Sequence, residues 1–99
     1  MKSELISSDR RDLHLKKIPD WKREGSLISR TYSFRRFLDG IDFVKQLADK
    51  AEAVNHHPDI DIRYNKVTLR LTTHDAGGLT EKDFLLASTI DAVYLKFKI

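Results

Sequence analysis

The stretch that decides the fold is residues 59–72, which read DIDIRYNKVTLRLT. Apolar side chains occupy every second position in both halves, and their parity changes across Asn65-Lys66, as it does where a tight turn joins two antiparallel strands. Each strand then has one apolar and one polar face, which is typical of an antiparallel sheet covered by helices on one side. The apolar faces carry Ile60, Ile62 and Tyr64 in the first strand and Val67, Leu69 and Leu71 in the second.

Two further segments predict strands. Residues 26–34 alternate apolar and hydroxyl side chains, which indicates a half-buried strand, although Arg30 interrupts the apolar parity. The last six residues, YLKFKI, alternate again and predict a final edge strand. Together with the hairpin, these segments predict a four-stranded antiparallel sheet.

Three helices are expected around the sheet. One spans residues 7–17 and ends before Pro19, and a longer one spans residues 35–55. The third follows Thr80–Asp83, which resembles a capping box. The apolar stripe of the long helix is expected at Phe37, Ile41, Val44, Ala48, Ala51 and Val54, with Gly40 marking close packing. The third helix should bury Phe84, Leu86, Ala87, Ile90 and Val93. The element order predicts an α+β fold, a four-stranded antiparallel sheet covered on one face by about three helices, in a single domain over residues 1–99.

Composition excludes several function classes. The chain of 99 residues has no Cys, which excludes disulfide scaffolds, thiolate metal sites and cysteine nucleophiles. No apolar run approaches the roughly 18 to 20 residues of a membrane span, and the first ten residues lack the apolar stretch of a signal peptide. A cytoplasmic protein with no membrane partner is therefore expected.

The net charge of +3 is unevenly distributed. Residues 1–36 hold ten basic and five acidic side chains, whereas residues 37–99 hold eight and ten. The basic residues come as scattered pairs separated by acidic and apolar positions, which is typical of a solvated face. We therefore expect no nucleic-acid partner.

Three of the four histidines are expected to meet at one edge of the sheet. His56 and His57 follow the long helix and enter the hairpin, while His74 leaves it. An antiparallel hairpin returns the chain to the side where it began, so the three imidazoles could converge. Three acidic residues accompany them in sequence: Glu52, Asp75 and Asp83.

The residues alone leave three interpretations of this cluster open. Histidine is the only side chain whose unperturbed pKa lies between pH 5 and 8, which suits general acid–base catalysis. Three histidines, or two with a carboxylate, also form a catalytic zinc set, although adjacent helix residues point about 100° apart and do not chelate as an i, i+4 pair would. Finally, His56-His57-Pro58 can be a purely structural helix end, because imidazolium is favourable there.

Other candidate residues have structural interpretations. His14 lies between Leu13 and Leu15 in the first helix and is expected to pack or to lie at the surface. Trp21 is interpreted as a core or interface anchor, and Tyr64 as a packing residue of its strand. There is no Gly-rich phosphate loop, serine nucleophile motif or convincing pair of catalytic carboxylates.

The central part of the chain resembles a known enzyme family. Residues 51–87 read AEAVNHHPDIDIRYNKVTLRLTTHDAGGLTEKDFLLA and contain HHP, YN-V, T-H, GLT with a following D, and LA, in that order. These motifs, with Trp21 and YSFRRF upstream, are similar to those of pterin-4a-carbinolamine dehydratases, and the likeness spans about residues 21–93.

The resemblance implies a lyase that removes water from 4a-hydroxytetrahydrobiopterin to give the quinonoid dihydropterin, in recycling of the cofactor of aromatic amino-acid hydroxylases. It implies a reduced pterin as substrate, no metal or other cofactor, and a homodimer or homotetramer. Loss of a hydroxyl needs a proton donor and imine formation needs a proton acceptor, and two histidines of near-neutral pKa can supply both.

The resemblance also implies roles for single residues. His56 and His74 would be acid–base groups, and His57 would contact and orient the pterin, so all three are expected in the catalytic site. The expected substrate-binding or supporting positions are Glu52, Asn55, Pro58, Tyr64, Thr73, Asp75, Ala76, Asp83 and Trp21. Asn55 stands where many family members have an acidic residue, which could alter the pKa of His56.

Two hypotheses compete with the dehydratase. One is a non-catalytic dehydratase-like module for binding, assembly or transcriptional coactivation. Some relatives with such roles lack the histidines, so the intact set argues against it. The other is a small metal-dependent hydrolase that uses the same three histidines.

Overall fold

The structure is a computed structural model that describes residues 4–97. Within these residues, three α-helices pack on one face of a four-stranded antiparallel sheet. The helices are α1 (Ser8–Lys17), α2 (Phe37–Val54) and α3 (Glu81–Tyr94). The strands are β1 (Lys22–Glu24), β2 (Leu27–Ser33), β3 (Asp59–Arg63) and β4 (Lys66–Leu71). Their order in the sheet is β1-β2-β4-β3. The predicted α+β fold with a helix-covered antiparallel sheet is confirmed.

The predicted hairpin of β3 and β4 forms, with its turn at Tyr64 and Asn65, since Arg63 pairs with Lys66. The prediction that Tyr64 packs on the apolar face of the first strand is wrong, because Tyr64 lies exposed in this turn. Ile60 lies opposite Leu69 and Ile62 lies opposite Val67, so the apolar side chains of both strands share one face. Helices cover that face over β4, where Val67 and Leu69 are fully buried. Strand β3 forms the edge of the sheet, and its Ile60 and Ile62 remain 40% and 39% exposed.

Arg30 can point toward the helices because a network of polar side chains binds its guanidinium group there. Its Nη1 donates to Asp91 Oδ1 on α3 at 2.8 Å. The same oxygen accepts from Trp21 Nε1 at 3.0 Å and from the Tyr32 hydroxyl at 2.5 Å. Burial, aided by this bond to Asp91, raises the pKa of Tyr32 above its ordinary value, so the hydroxyl stays a donor. Trp21 is buried in the core, as its interpretation as an anchor predicts.

Both shorter helices begin with a side-chain cap, and the cap of α3 is the one that the sequence predicts. Ser7 Oγ accepts from the Arg10 N–H at the start of α1. Thr80 and Asp83 form a capping box at the start of α3. The residues of α3 predicted to face the core are all buried: Phe84, Leu86, Ala87, Ile90 and Val93.

Helix α2 has nearly the predicted bounds but buries a different face. The predicted stripe is wrong for Phe37, Ile41 and Val54, which are exposed. The buried residues are Gly40, Phe43, Leu47 and Ala51. At 100° per residue, the centres of the two stripes are about 60° apart, roughly a sixth of a turn, and Ala51 belongs to both. Gly40 marks close packing as expected, since a Cβ there would lie 3.4 Å from Phe34 Cδ2.

The prediction of a final strand at residues 94–99 is wrong for its first four residues, and residues 98–99 lie outside the described part. Tyr94 ends α3, and Leu95–Phe97 continue as a 3-10 turn. The three-residue spacing of Tyr94 and Phe97 brings both rings against two core phenylalanines, and this packing outweighs the alternating pattern. The fourth strand is instead β1, whose three exposed polar residues carry no apolar pattern that could predict it. Among the helices of residues 4–97, none is long and apolar enough to cross a membrane.

Candidate active site

The end of α2 sets the direction in which the histidines leave the helix. Asn55 adopts a left-handed conformation with φ of 51°, which asparagine tolerates better than most residues. Its N–H donates to Glu52 O, and the next N–H, that of His56, donates to Ala51 O, both at 3.1 Å. These bonds close the helix, and Asn55 therefore has a structural reason to occupy this position.

His56 is held by a buried carboxylate. Its Nε2 lies 2.6 Å from Asp83 Oδ1, with the imidazole only 11% exposed and Asp83 fully buried. The other oxygen, Asp83 Oδ2, accepts from Thr73 Oγ1 and from the Thr80 N–H, both at 2.9 Å. Because the neighbours of this carboxylate donate to it, we infer that His56 carries a proton on Nε2, so that Nδ1 is the acceptor whenever the ring is neutral.

Two threonine hydroxyls complete the support of Asp83. Thr73 and Thr80 Oγ1 atoms lie 2.8 Å apart, and Thr80 Oγ1 also accepts from the Lys82 N–H. Since Thr73 donates to Asp83, its oxygen accepts from Thr80. The chain of bonds thus runs from the α3 cap through both hydroxyls to the carboxylate, and it fixes the orientation of His56.

His57 and His74 are more exposed. His57 Nε2 lies 2.5 Å from Glu52 Oε1, in a pair that is 53% and 77% exposed. His74 begins a 3-10 turn, His74–Ala76, which Thr72 and Thr73 connect to the end of β4. Gly77 ends this turn with a φ of 78°, and a bridge between Thr73 and Gly78 closes the loop. The rigid part of the site is therefore the His56 side, and the exposed part is formed by the other two imidazoles.

The structure brings the three histidines together in one cleft of about 460 Å³. The hairpin brings His74 back to the side where His56 and His57 enter it. The cleft is lined by Asn55, His56, His57, Thr72, Thr73, His74, Asp75 and Lys82. Six of these are residues that the sequence analysis proposed. Thr72 and Lys82 are additions, and no sequence pattern singled out either of them.

The other proposed residues lie outside the cleft lining. Glu52 binds His57, and Asp83 lies beneath His56. Pro58 and Ala76 are chain neighbours of lining residues. Trp21 contacts Asp91 and does not line the cleft. Tyr64 is 71% exposed in the turn at the closed end of the hairpin, about 17 Å of strand away from the histidines.

An apolar groove adjoins the cleft. It encloses about 200 Å³ between the last turns of α2 and the first half of α3, and it shares His56 and Lys82 with the cleft. Its remaining lining residues are Lys50, Ala53, Val54, Leu85, Leu86 and Thr89. The candidate site therefore has a polar part beside the histidines and an apolar part beside the helices.

The donor set does not form a metal site in the described residues. Over residues 4–97, no group of three His, Asp or Glu side chains is arranged to hold a metal ion. Two of the imidazoles instead pair with carboxylates. Paired imidazoles around a cleft are suited to moving protons, with His56 held in one orientation and His74 exposed to an incoming ligand.

Both the sequence and the fold of this chain have known counterparts. The family model described as pterin 4 alpha carbinolamine dehydratase matches residues 4–93. The chain therefore belongs to the pterin-4a-carbinolamine dehydratase family, as the resemblance indicates.

Two bacterial relatives illustrate the similarity. A protein of Picosynechococcus sp. is 56% identical over 77 residues, covering 78% of this chain and 84% of the relative. A protein of Mycobacteroides abscessus is 51% identical over 87 residues, covering 88% and 93%. Both relatives are named pterin-4-alpha-carbinolamine dehydratases, and both names are provisional.

Two solved structures share the fold. A transcriptional coactivator/pterin dehydratase from Brucella melitensis superposes with a TM-score of 0.87 at 28% identity, covering 91% of this chain and 98% of that one. A pterin dehydratase-like protein described as a RuBisCO assembly factor in the alpha-carboxysome gives a TM-score of 0.65 at 22% identity, covering 75% and 88%. The second likeness concerns the fold alone.

Proposed function

We propose that this protein is a hydro-lyase that dehydrates 4a-hydroxytetrahydropterins, with 4a-hydroxytetrahydrobiopterin as the type substrate, in tetrahydrobiopterin recycling. The observation that carries the proposal is the convergence of His56, His57 and His74 on one cleft in a member of this family. A non-catalytic binding or assembly module would not need three converging imidazoles, one of them anchored on a buried carboxylate.

The reaction needs one proton removed and one supplied. A base takes the proton from N5, the N5 electron pair forms the C4a=N5 double bond, and the C4a–O bond breaks as an acid protonates the 4a-hydroxyl. The products are water and the quinonoid dihydropterin, and no electrons are gained or lost. We assign the two proton transfers to His56 and His74, because both imidazoles line the cleft and an imidazole can act as either acid or base.

His57 has a different proposed role. Its Nε2 pairs with Glu52 at the exposed rim of the cleft, so the ring is oriented but remains in contact with solvent. This position suits a group that contacts and orients the pterin. The adjoining lining residues Asn55, Thr73 and Asp75 offer amide, hydroxyl and carboxylate groups that could bind the polar edge of the pterin.

We also propose that the protein works as a homodimer or homotetramer. Edge strand β3 presents unpaired backbone groups on one side, and Ile60 and Ile62 are partly exposed on its apolar face. An exposed edge strand with apolar side chains favours association with another chain. A second copy of this chain would cover both features.

The proposed activity is tested by stopped-flow absorbance of synthetic 4a-hydroxytetrahydropterin. We expect wild-type protein to accelerate decay over buffer. His56→Ala and His74→Ala should each slow catalysed decay by about 10-fold or more, since positioned proton transfer contributes about 100- to 10,000-fold. His57→Ala should mainly raise KM. Lys45→Ala, an exposed change on α2, is the control and should match wild type.

Three results would contradict parts of the proposal. No acceleration by wild-type protein would exclude the dehydratase function and leave the binding or assembly module. Unchanged rates in all three histidine variants would exclude these residues as the site. Stoichiometric zinc in purified protein, with activity lost to a chelator, would favour the metal-dependent hydrolase instead.

A further inference from the structure

The N-terminal segment contacts the loop that leads into α3. The Ile6 N–H donates to Leu79 O at 2.9 Å. The side chain of Leu5 covers Gly78, since its Cδ2 would lie 3.0 Å from a Cβ at that glycine. This loop lies between the His74 turn and the cap of α3, so the segment packs against the chain that joins two parts of the site.

Helix α1 contacts the first turn of α3 itself. Arg10 donates to Glu81 through both Nε and Nη2, and His14 Nε2 lies 2.9 Å from Glu81 Oε2. The His14 ring also stacks on Phe84, with centroids 5.1 Å apart and planes 18° from parallel. The bond from Arg10 holds the pKa of Glu81 below its ordinary value, so its carboxylate is ionised at neutral pH.

These contacts lie on both sides of Asp83, the residue that holds the imidazole of His56. Glu81 and Phe84 are the first and fourth residues of α3, and Asp83 lies between them. Leu79 precedes the Thr80 cap on the other side. A shift of this turn would therefore move Asp83 and, through the 2.6 Å bond, the imidazole of His56.

We propose that residues 5–14, here called the N-terminal strap, hold the first turn of α3 in place and thereby position His56, with His14 and Glu81 as positioning residues. Neither residue lines the cleft, so they act through the first turn of α3, which carries Asp83 and the lining residue Lys82. The expected effect on rate depends on the proposed dehydratase function. The expected effect on the His56 ring does not.

The first test is nitrogen NMR of the histidine side chains, with the His56 signals assigned from the spectrum of His56→Ala. In wild-type protein we expect neutral His56 to show one tautomer, protonated on Nε2. Glu81→Ala and His14→Ala should shift these nitrogens toward the averaged values of a ring that exchanges between tautomers. Lys17→Ala, an exposed change on the same helix, should leave them unchanged. Unchanged His56 nitrogens in both strap variants would overturn the proposal.

The second test is the stopped-flow assay of the same variants. We expect kcat to fall by about 10-fold with KM changed less than twofold, because misplacing a catalytic group by about 1 Å can cost up to about 100-fold. A purely stabilising strap would lower the unfolding temperature and leave kcat of the folded protein unchanged, and this result would overturn the proposal. If wild-type protein has no dehydratase activity, the NMR result alone decides.

His14→Phe separates packing from hydrogen bonding and covers the case in which His14→Ala does not fold. Phenylalanine keeps the stack on Phe84 but cannot bind Glu81. We expect its His56 nitrogens to lie between those of wild type and Glu81→Ala. Suppose that His14→Phe folds and that both it and Glu81→Ala give the same His56 nitrogen signals as wild type. This result would refute the role of the strap in positioning His56.

Discussion

The carboxylate of Asp83 is buried, and its hydrogen bonds come from three separate segments of the chain. His56 follows α2, Thr73 follows β4, and the Thr80 N–H belongs to the cap of α3. Burying a charge costs several kcal/mol unless hydrogen bonds compensate for it. Asp83 therefore both closes the helix cap and fixes the tautomer of His56, so one residue joins the fold to the site.

Asp83→Asn tests this double role. An amide has one acceptor oxygen and one NH₂ group, so it cannot accept on both sides as the carboxylate does. If the NH₂ group turns toward His56, the imidazole must accept at Nε2 and carry its proton on Nδ1. We expect catalysed decay to slow by about 100-fold or more, together with a lower unfolding temperature.

The matched control is Asp49→Asn, which makes the same chemical change at a carboxylate 70% exposed on α2. It should retain wild-type rate and stability. A wild-type rate in Asp83→Asn would show that the orientation of His56 by Asp83 is not required.

At the scale of elements, α2 shows how burial can differ from an apolar pattern. It has two apolar stripes, and only the one containing Gly40, Phe43 and Leu47 meets the sheet. Gly40 faces Phe34 and Val67, and a Cβ there would be in ordinary contact with both side chains. The space at this position therefore admits a methyl group and limits anything larger.

Substitutions at Gly40 measure that limit. A Cβ would lie 3.4 Å and 3.6 Å from its nearest neighbours, which is ordinary contact, and alanine favours a helix over glycine by about 1 kcal/mol. Gly40→Ala should therefore unfold at the same temperature as wild type or slightly higher. Gly40→Leu should lose about 1 to 3 kcal/mol through overpacking. Thermal unfolding followed by circular dichroism checks both, and a destabilised Gly40→Ala would show that the helix cannot adjust.

Sequence patterns predicted those elements whose periodicity is unambiguous. The parity change across Asn65-Lys66 predicted the hairpin, and the spacing from Thr80 to Asp83 predicted the cap of α3. The face of α2 was not predictable, because hydropathy does not distinguish a stripe that meets the sheet from one left open. Strand β1 was not predicted because its pairing with β2 defines it, whereas its own side chains have no strand pattern.

The convergence of the histidines in the candidate site was predictable from the sequence, whereas the residues that support them were not. The return of the hairpin placed His74 beside His56 and His57 on topological grounds alone. The pairing of Asp83 with His56 and the support from Thr73 depend on tertiary packing, to which no local pattern points. Tyr64 and Trp21, which the resemblance places in or beside the site, do not line this cleft, and their roles stay predictions.

At the scale of the whole molecule, the edge of the sheet formed by β3 leaves backbone groups and apolar side chains uncovered. Strand β3 has a partner on one side only, and its Ile60 and Ile62 lie on the helix side of the sheet but remain exposed. Asp61, between them in sequence, lies on the opposite face. The two faces of β3 therefore offer a direct comparison of apolar and polar edge positions.

This comparison tests the proposed homo-oligomer. We expect wild-type protein to sediment as a dimer or tetramer and the double variant Ile60→Lys with Ile62→Lys to sediment with a smaller mass, because charged side chains block edge association. Asp61→Lys puts the same side chain on the other face of the same strand and should keep the wild-type mass. Thermal unfolding verifies that each variant is folded. An unchanged mass in the double variant would exclude this edge as the interface.

The bonds to Asp83 also determine when the site comes into existence during folding. His56 and Asp83 are 27 residues apart in the chain, and the hairpin that carries Thr73 into place lies between them. The loop-closure entropy of such a contact must be offset by the surrounding packing, so it forms after the local elements rather than within any of them. A partly folded chain with α2 and the hairpin formed already has the three histidines on one side of the hairpin, but His56 is not yet held by Asp83. The fixed orientation of His56 is therefore recovered only when α3 docks, later in refolding than the local elements.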